Sequence, residues 1–192
     1  MALTVPVLLG TVREGRQSEH LARFVHARLE ARAGVRSPFI DPREHAFGNL
    51  AHRALDVEQA GTPEVRSFIE QMHAADAFVI VTPEYNYGYP GALKNLLDVT
   101  FKPWNRKPFG LVACGGMSGG LRAIDALRQV VAGLGAVCVP AHVPVQSIAK
   151  TFGPAGPLVD AEAWTRRVDG FLDEVLWYAE ALKAARAGPV RA

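Results

Sequence analysis

The stretch Ala77-Phe78-Val79-Ile80-Val81-Thr82-Pro83-Glu84-Tyr85-Asn86-Tyr87-Gly88-Tyr89-Pro90-Gly91-Ala92-Leu93-Lys94-Asn95-Leu96-Leu97-Asp98 decides how the rest of the chain is read. Ala77 to Val81 is a short apolar run of the kind that forms a buried strand. Polar, aromatic and turn-forming residues crowd together where that strand ends, and Gly88, Pro90 and Gly91 set the turn. From Gly91 to Phe101 an apolar helical spacing resumes. In open α/β sheets ligands lie outside the carboxyl ends of the strands, so this loop is the expected place for a binding site.

The same alternation extends in both directions. Thr4 to Leu9 reads as a first strand ending at Gly10. A helix over 18–32 follows, with Ser18 at the N-cap position and Leu21, Phe24, Val25 and Leu29 on its apolar stripe. Arg36 to Asp41 reads as a short second strand, and His45 to Gly61 as irregular. Thr62-Pro63-Glu64 opens a helix with a capping hydroxyl, a first-turn proline and an early acid. Beyond the central stretch, Phe109 to Ala113 is a strand, Leu121 to Leu134 a helix, and Ala136 to Val139 a strand with a possible extension through Val145. Thr151 to Leu158 is a glycine- and proline-punctuated loop, and a long helix runs from Asp160 to about Ala185. Strand-helix alternation throughout implies a parallel sheet with helices on both faces, an α/β three-layer sandwich. Five strands favour the flavodoxin-like order 2-1-3-4-5.

Composition narrows the function classes. With 192 residues, the chain is expected to form a single domain over residues 1–186, with residues 187–192 a frayed tail. Hydrophobic residues at 49% and charged residues at 21% are ordinary for a globular protein, and a net charge of +2 gives no reason to expect nucleic acid. Two cysteines, Cys114 and Cys138, are too few for a disulfide framework and fit a reducing, cytoplasmic setting. Met1 to Gly10 lacks the pattern of a signal peptide, and no apolar run reaches the roughly 18 residues of a membrane span. No metal site is assigned.

Three unusual loops fall at the ends of strands one, three and four, which this order brings to one switch point. The first, Gly10-Thr11-Val12-Arg13-Glu14-Gly15-Arg16-Gln17-Ser18, leads into a helix N-terminus, where backbone N–H groups hold anions. Thr11 and Ser18 add hydroxyls, and Arg13 and Arg16 add guanidinium forks suited to phosphate oxygens. Neither a G-x-x-x-x-G-K-[ST] nor a G-x-G-x-x-G pattern is present, so a single phosphate fits best. A solvated loop with two surface arginines is the plain alternative. The second loop, Pro83 to Tyr89, offers Glu84, Tyr85, Asn86 and Tyr87 to a flat heterocycle; otherwise it is a turn whose tyrosines pack on neighbouring helices. Glu84 reads as a turn-stabilising residue more than as a general acid. The third loop, Gly115 to Gly120, has four glycines in six residues and can turn several amides towards a developing negative charge. Its alternative is a flexible turn. Cys114 beside it reads as a buried core thiol rather than a nucleophile. A monophosphate site, a flat aromatic clamp and a glycine nest together suit FMN.

On these residues the chain resembles the NADPH-dependent FMN reductase family of flavodoxin-like proteins, which includes quinone, azo-dye and chromate reductases. The resemblance covers roughly residues 4–145. TPEYNYGYPGALKNLLD is very similar to the family's central motif, and Gly10-Thr11-Val12-Arg13 matches its phosphate loop more loosely. Cys114-Gly115-Gly116-Met117-Ser118-Gly119-Gly120 is similar to its second isoalloxazine contact. The resemblance implies Thr11, Arg13 and Ser18, with Arg16 as a further candidate, at the phosphate. It implies Pro83, Glu84, Tyr85, Asn86 and Tyr87 around the ribityl chain and ring, and Gly115, Gly116 and Ser118 along the pyrimidine edge. It also implies a homodimer or homotetramer, with Lys94, Asn95 and Asp98 near the contact; a charged helix face is the alternative for those three.

The expected activity is hydride transfer from NADPH or NADH through FMN to a quinone, an azo compound, a metal oxyanion or free flavin. No residue is assigned as catalytic, because the flavin carries the chemistry. No dedicated dinucleotide site is apparent in the three loops, so a shared site and ping-pong kinetics are expected. Arg16, Arg43, Arg53 and Arg106 are the candidates to meet a 2′-phosphate. The rivals are a flavodoxin-like electron carrier, against which the +2 balance argues, and a flavin-binding protein without reductase turnover.

Overall fold

The structure is a computed structural model that describes residues 2–45, 47, 62–153 and 158–188. The expected first strand is cut in two, β1 (Leu3–Thr4) and β2 (Val7–Leu9). Its neighbour divides likewise into β3 (Val35–Arg36) and β4 (Phe39–Ile40). Pro6 and Pro38 stand at the breaks, and neither has an N–H to give to a ladder. Main-chain bonds still span the gaps, from Val5 N–H to the Arg36 carbonyl and from Val7 N–H to the Pro38 carbonyl, both at 2.9 Å. The remaining strands are β5 (Phe78–Pro83), β6 (Pro108–Gly115) and β7 (Val137–Gln146). β7 therefore continues through the extension that the sequence left open.

Five strands make one sheet in the order β4-β2-β5-β6-β7, every pairing parallel, while β1 and β3 pair separately. The chain runs from β2 outward to β4, returns to β5 on the other side of β2, and then proceeds through β6 to β7. The direction reverses between β2 and β5, which is where an α/β sheet opens a crevice for ligand.

Side-chain alternation along the strands explains why both faces are covered. In β5, Phe78 and Ile80 join one core while Val79 and Val81 join the other. Helices α1 (Ser18–Glu30) and α6 (Ala161–Ala187) cover the valine face through Leu21, Val25, Leu29, Val168, Phe171 and Val175. Helices α2 (Pro63–Ala74), α3 (Gly91–Asp98) and α4 (Leu121–Gly133) cover the other through Phe68, Met72, Leu93, Leu97, Ile124 and Leu127. Each such side chain, fully removed from water, contributes about 1.5–3 kcal/mol.

Helix ends follow local chemistry. Thr62 caps α2, its hydroxyl accepting from Val65 N–H at 3.3 Å. Asp160 caps α6 in the same way, accepting from Ala163 N–H at 3.3 Å. Ser18 differs from expectation: the residue in the cap position is Gln17, which has helical angles and makes no side-chain cap bond, so Ser18 is the first helical residue. The helix expected over Gly91 to Phe101 stops at Asp98, and a 3-10 turn follows at Lys102–Trp104. Pro103 cannot extend the helix, and the buried Trp104 indole N–H donates to the Leu97 and Thr100 carbonyls at 2.9 and 2.7 Å, closing the helix end. A one-turn helix, α5 (Ile148–Thr151), precedes the loop expected from Thr151. Most of the irregular segment expected from His45 to Gly61, and residues 189–192 of the tail, lie outside the described residues.

Candidate active site

The carboxyl ends of β2, β5 and β6 carry the three loops side by side. Gly10 N–H donates to the Val81 carbonyl at 2.8 Å, so β2 and β5 remain paired to the last residue before the first loop departs. Gly10 is required there: a Cβ would sit 2.5 Å from Thr82 Oγ1. One residue on, Thr11 Oγ1 and the Tyr85 hydroxyl are 2.9 Å apart, tying the first loop to the second. The Arg13 guanidinium lies 5.1 Å from the centre of the Tyr85 ring and has no carboxylate partner among the described residues.

Around these groups opens a cleft of about 590 Å3, lined by Thr11, Arg13, Glu84, Tyr85, Asn86 and Pro90 among others. The Glu84 amide donates to the Cys114 carbonyl at 2.8 Å, continuing the β5–β6 ladder. Its carboxylate accepts from Ser118 Oγ at 2.8 Å and from the Arg122 backbone N–H at 3.2 Å. Glu84 therefore caps α4 from a different loop, and its charge meets the positive end of that helix. The turn reading of Glu84 is thus realised as a bond between loops.

Tyr85 to Gly88 form a tight turn closed by two main-chain bonds, Tyr85 N–H to Gly88 O at 2.8 Å and Gly88 N–H to Tyr85 O at 3.0 Å. Asn86 and Tyr87 occupy its centre with φ of 49° and 67°. Left-handed backbone at such residues costs on the order of 1–3 kcal/mol each, and strain of this kind gathers at binding sites. The three tyrosines do not form one clamp. Tyr85 lines the cleft. Tyr87 is 69% exposed, with the Arg122 guanidinium 3.9 Å from its ring centre. Tyr89 packs half-buried on the α2–α4 core, and desolvation raises its pKa.

The phosphate-type loop separates its two arginines. Arg16 is turned inward, its side chain 4% exposed. Its Nε donates to Glu19 at 3.1 Å and its Nη1 to the Thr11 carbonyl at 2.7 Å and Asp41 at 2.9 Å, while Nη2 also bonds Asp41. Burial opposes its charge, but these bonds to Asp41 and Glu19 outweigh it and raise the pKa. Arg16 is thus a strut under the loop. Ser18 is buried, yet its hydroxyl makes no hydrogen bond among the described residues. The amides of Val12, Glu14, Gly15, Arg16 and Gln17 likewise donate to none. Open amides, an unused hydroxyl and the unpaired Arg13 fit a phosphate group.

In the third loop the amides of Gly116, Met117 and Ser118 are also unengaged among the described residues. Gly120 stands at φ 90°, where a Cβ would lie 2.6 Å from that of Ala113. This left-handed step turns the chain from β6 into α4. Cys114 is 4% exposed, and burial pushes its thiol up to about 12, so it is a core group as expected.

Residues absent from the sequence-based set also build the site. Asp41 clamps Arg16, and Arg122 ties Glu84 to Tyr87. Asp41 carried one signal, its position at the end of a strand beside β2. Among the candidates for a 2′-phosphate, Arg106 precedes β6 at the amino end of the strands, opposite the three loops, and Arg53 lies outside the described residues. Among the described residues no group of three or more His, Cys, Asp or Glu is arranged to hold a metal, and no helix is long and apolar enough to cross a membrane.

Comparison with known proteins agrees with this geometry. The family model for NADPH-dependent FMN reductase matches residues 3–150. A probable NADPH:quinone oxidoreductase 2 of Oryza sativa is 31% identical over 171 residues, covering 84% of this chain and 81% of its own. Among solved structures, FerB, a flavoenzyme NAD(P)H:(acceptor) oxidoreductase of Paracoccus denitrificans, superposes with a TM-score of 0.75 at 24% identity over 94% of this chain and 98% of its own. A flavodoxin of Pseudomonas aeruginosa gives 0.57 at 20% identity over 89% and 99%. With a flavodoxin-like fold and the family model spanning the whole sheet, the chain belongs to the NADPH-dependent FMN reductase family, oxidoreductases that use FMN with NAD(P)H as co-substrate.

Proposed function

We propose that this protein passes hydride from NADPH or NADH to a small electron acceptor, a quinone first of all, with donor and acceptor using one face of the flavin in turn. Azo compounds, metal oxyanions and free flavin are acceptors of the same kind, since each needs only access to that face. The observation that carries this reading is the pair of bonds Thr11–Tyr85 and Glu84–Ser118: the first joins the two loops that line the cleft, and the second ties the glycine loop to Glu84 on its wall. FMN, when bound, supplies the acceptance and donation of hydride.

The chain's own residues bind and orient. Arg13, the open amides of the first loop, the Thr11 hydroxyl and Ser18 would hold the phosphate, with Arg16 supporting them from beneath. Pro83 to Tyr87 would flank the ribityl chain and ring. The amides of Gly116 to Ser118, with Gly115 beside them, would face the pyrimidine edge, where preorganised donors stabilise negative charge. Glu84 is engaged by Ser118 and Arg122 and ties the second loop to the third. A shared donor and acceptor site predicts ping-pong kinetics.

The same proposal includes a homodimer or homotetramer through the face of α3 that carries Lys94, Asn95 and Asp98, a cytoplasmic setting suited to two free cysteines, and one folding unit, supported by α6 packing on the same sheet through Ala179 and by the Lys183–Asp76 ion pair beyond it.

The experiment is a binding and turnover comparison on the purified protein. FMN should bind far more tightly than riboflavin, and Arg13→Ala should weaken FMN about 10- to 100-fold while leaving riboflavin unchanged, as loss of charge-assisted bonds implies. The loaded protein should oxidise NADPH with benzoquinone. Equal affinity for FMN and riboflavin would overturn the phosphate assignment. A stable semiquinone without NADPH oxidation would replace the enzyme by an electron carrier.

A further inference from the structure

The second and third loops leave an amphipathic rim beside the cleft. Glu84 and Asn86 line the cleft. Tyr87 follows Asn86, and Arg122 is bonded to Glu84 through its backbone N–H. The Arg122 guanidinium lies over the Tyr87 ring, 3.9 Å from its centre, and the side chain is otherwise exposed. Its one carboxylate contact among the described residues is Glu84 Oε1 at 3.5 Å, too long for a strong bond. The Glu84 carboxylate is already served by Ser118 Oγ and the Arg122 amide. The guanidinium N–H groups are therefore left to the solvent side, on a cation whose orientation the ring fixes.

Apolar groups surround this cation. Tyr87 holds a left-handed φ of 67°, a strained backbone for a residue other than glycine. Its ring is exposed, so burial does not offset the strain. Met117, in the third loop, is 96% exposed, and Leu121, next to Arg122, is exposed as well. Single exposed apolar side chains are ordinary. Here three sit on two loops joined by the Glu84–Ser118 bond, around one stacked guanidinium.

A fixed guanidinium among apolar side chains suits a flat, apolar molecule that carries an anionic oxygen group. We infer that Arg122 selects the electron acceptor by charge: aromatic acceptors bearing a sulfonate or carboxylate are preferred to their neutral analogues. Arg122 meets the anion, and the Tyr87 ring is the positioning group that orients Arg122. The inference rests on the reductase reading above and names a narrower acceptor class for the same site.

The test compares 1,4-naphthoquinone-2-sulfonate with 1,4-naphthoquinone as acceptors for the FMN-loaded protein. The readout is the ratio of their kcat/KM values, compared between proteins. Intrinsic reactivity cancels in that comparison, and damage to flavin or nucleotide binding scales both acceptors alike. Arg122→Gln should lower the ratio of sulfonate to neutral quinone about three- to tenfold, through KM for the sulfonate, as loss of a charged contact at an exposed site implies. Added salt should lower the ratio more in the wild type than in Arg122→Gln. Tyr87→Leu should lower it too, whereas Tyr87→Phe, which keeps the ring, should preserve it. Naphthalene-2-sulfonate, which is not a quinone, supplies a readout apart from turnover. Calorimetry should show it binding more tightly than the neutral naphthalene-2-sulfonamide, and Arg122→Gln should remove the difference. If Arg122→Gln leaves both the ratio and the sulfonate affinity unchanged, the charge selection is wrong even though both quinones are reduced. If it shifts the oligomeric state in sedimentation while the ratio holds, the rim is a subunit contact and the inference is overturned. If NADPH reduces neither quinone, the reductase reading fails first, and the selection with it.

Discussion

The Thr11 hydroxyl and the Tyr85 hydroxyl meet at 2.9 Å across 74 residues of sequence, and this contact joins the phosphate-type loop to the aromatic loop. Thr11 Oγ1 also accepts from Arg13 N–H at 3.2 Å, so the same hydroxyl shapes the turn that presents Arg13. A neutral hydrogen bond of this kind contributes about 1 kcal/mol net. Tyr85→Phe and Thr11→Val should each raise the FMN dissociation constant about three- to tenfold. Because the two groups are in contact, the double variant should be little worse than the poorer single one. Strictly additive losses would mean that the bond does not couple the loops.

Arg16 and Asp41 form the buried brace beneath that site, with side-chain exposures of 4% and 7%. Asp41→Asn leaves a guanidinium without its charge partner, a change that costs on the order of 3 kcal/mol in buried pairs. Desolvation works against the Asp41 charge, but hydrogen bonds from Arg16 and the Arg43 amide prevail and lower its pKa. A carboxylate depressed in the folded state stabilises above its unfolded value, 3.8, and loses that contribution as pH falls through the folded value. Urea melts should therefore show Asp41→Asn destabilised at pH 7 and drawing towards the wild type as pH falls below 3.8. An unchanged melt at pH 7 would refute the brace.

Much of this arrangement was legible in the sequence because it is local. Strand and helix positions followed from apolar periodicity, and Thr62 announced its helix by capping chemistry. The three loops were found because glycine, tyrosine and hydroxyl residues cluster at strand ends. What stayed hidden depends on contacts between distant segments. Arg16 and Arg13 look alike in sequence, and only the arrival of Asp41, 25 residues later, turns one inward and leaves the other free. The spacing of Tyr85, Tyr87 and Tyr89 suggests one clamp, but left-handed backbone at Asn86 and Tyr87 sends the rings to three different environments. Prolines at 6 and 38 are visible, yet their effect on strand pairing shows only when the two strands are side by side.

Gly120 tests the third loop. At φ 90°, and with Ala113 Cβ 2.6 Å from where a methyl group would stand, Gly120→Ala combines left-handed backbone with overpacking. Together these amount to about 2–4 kcal/mol. Gly116, with nothing within 4 Å, is the control, and Gly116→Ala should stay within about 0.5 kcal/mol of wild type. Thermal melts of the flavin-free proteins compare the two, and similar melting temperatures would remove Gly120 as the hinge between β6 and α4.

Lys107 lies far from the site, just before β6 at the amino end of the strands, and sets a pH dependence of its own. It is 7% exposed, and its ammonium donates to the Met72 and His73 carbonyls at 2.8 and 2.9 Å, closing the C-terminal end of α2. Desolvation, aided by repulsion from Arg186 and opposed by Asp76, lowers its pKa from 10.5 to about 8. Between those values the unfolded chain holds a proton that the folded chain has released, so unfolding free energy rises with pH. The rise can reach about 1.4 kcal/mol per pH unit. Tyrosine and cysteine ionisation also act in this range, which makes the comparison with Lys107→Met essential, since that variant retains them and loses only the lysine. The stability difference, wild type minus Lys107→Met, should increase steadily from pH 8 to pH 10.5 and be flat from pH 6 to pH 7.5. A difference that is constant across both ranges would show that Lys107 titrates as an ordinary surface lysine.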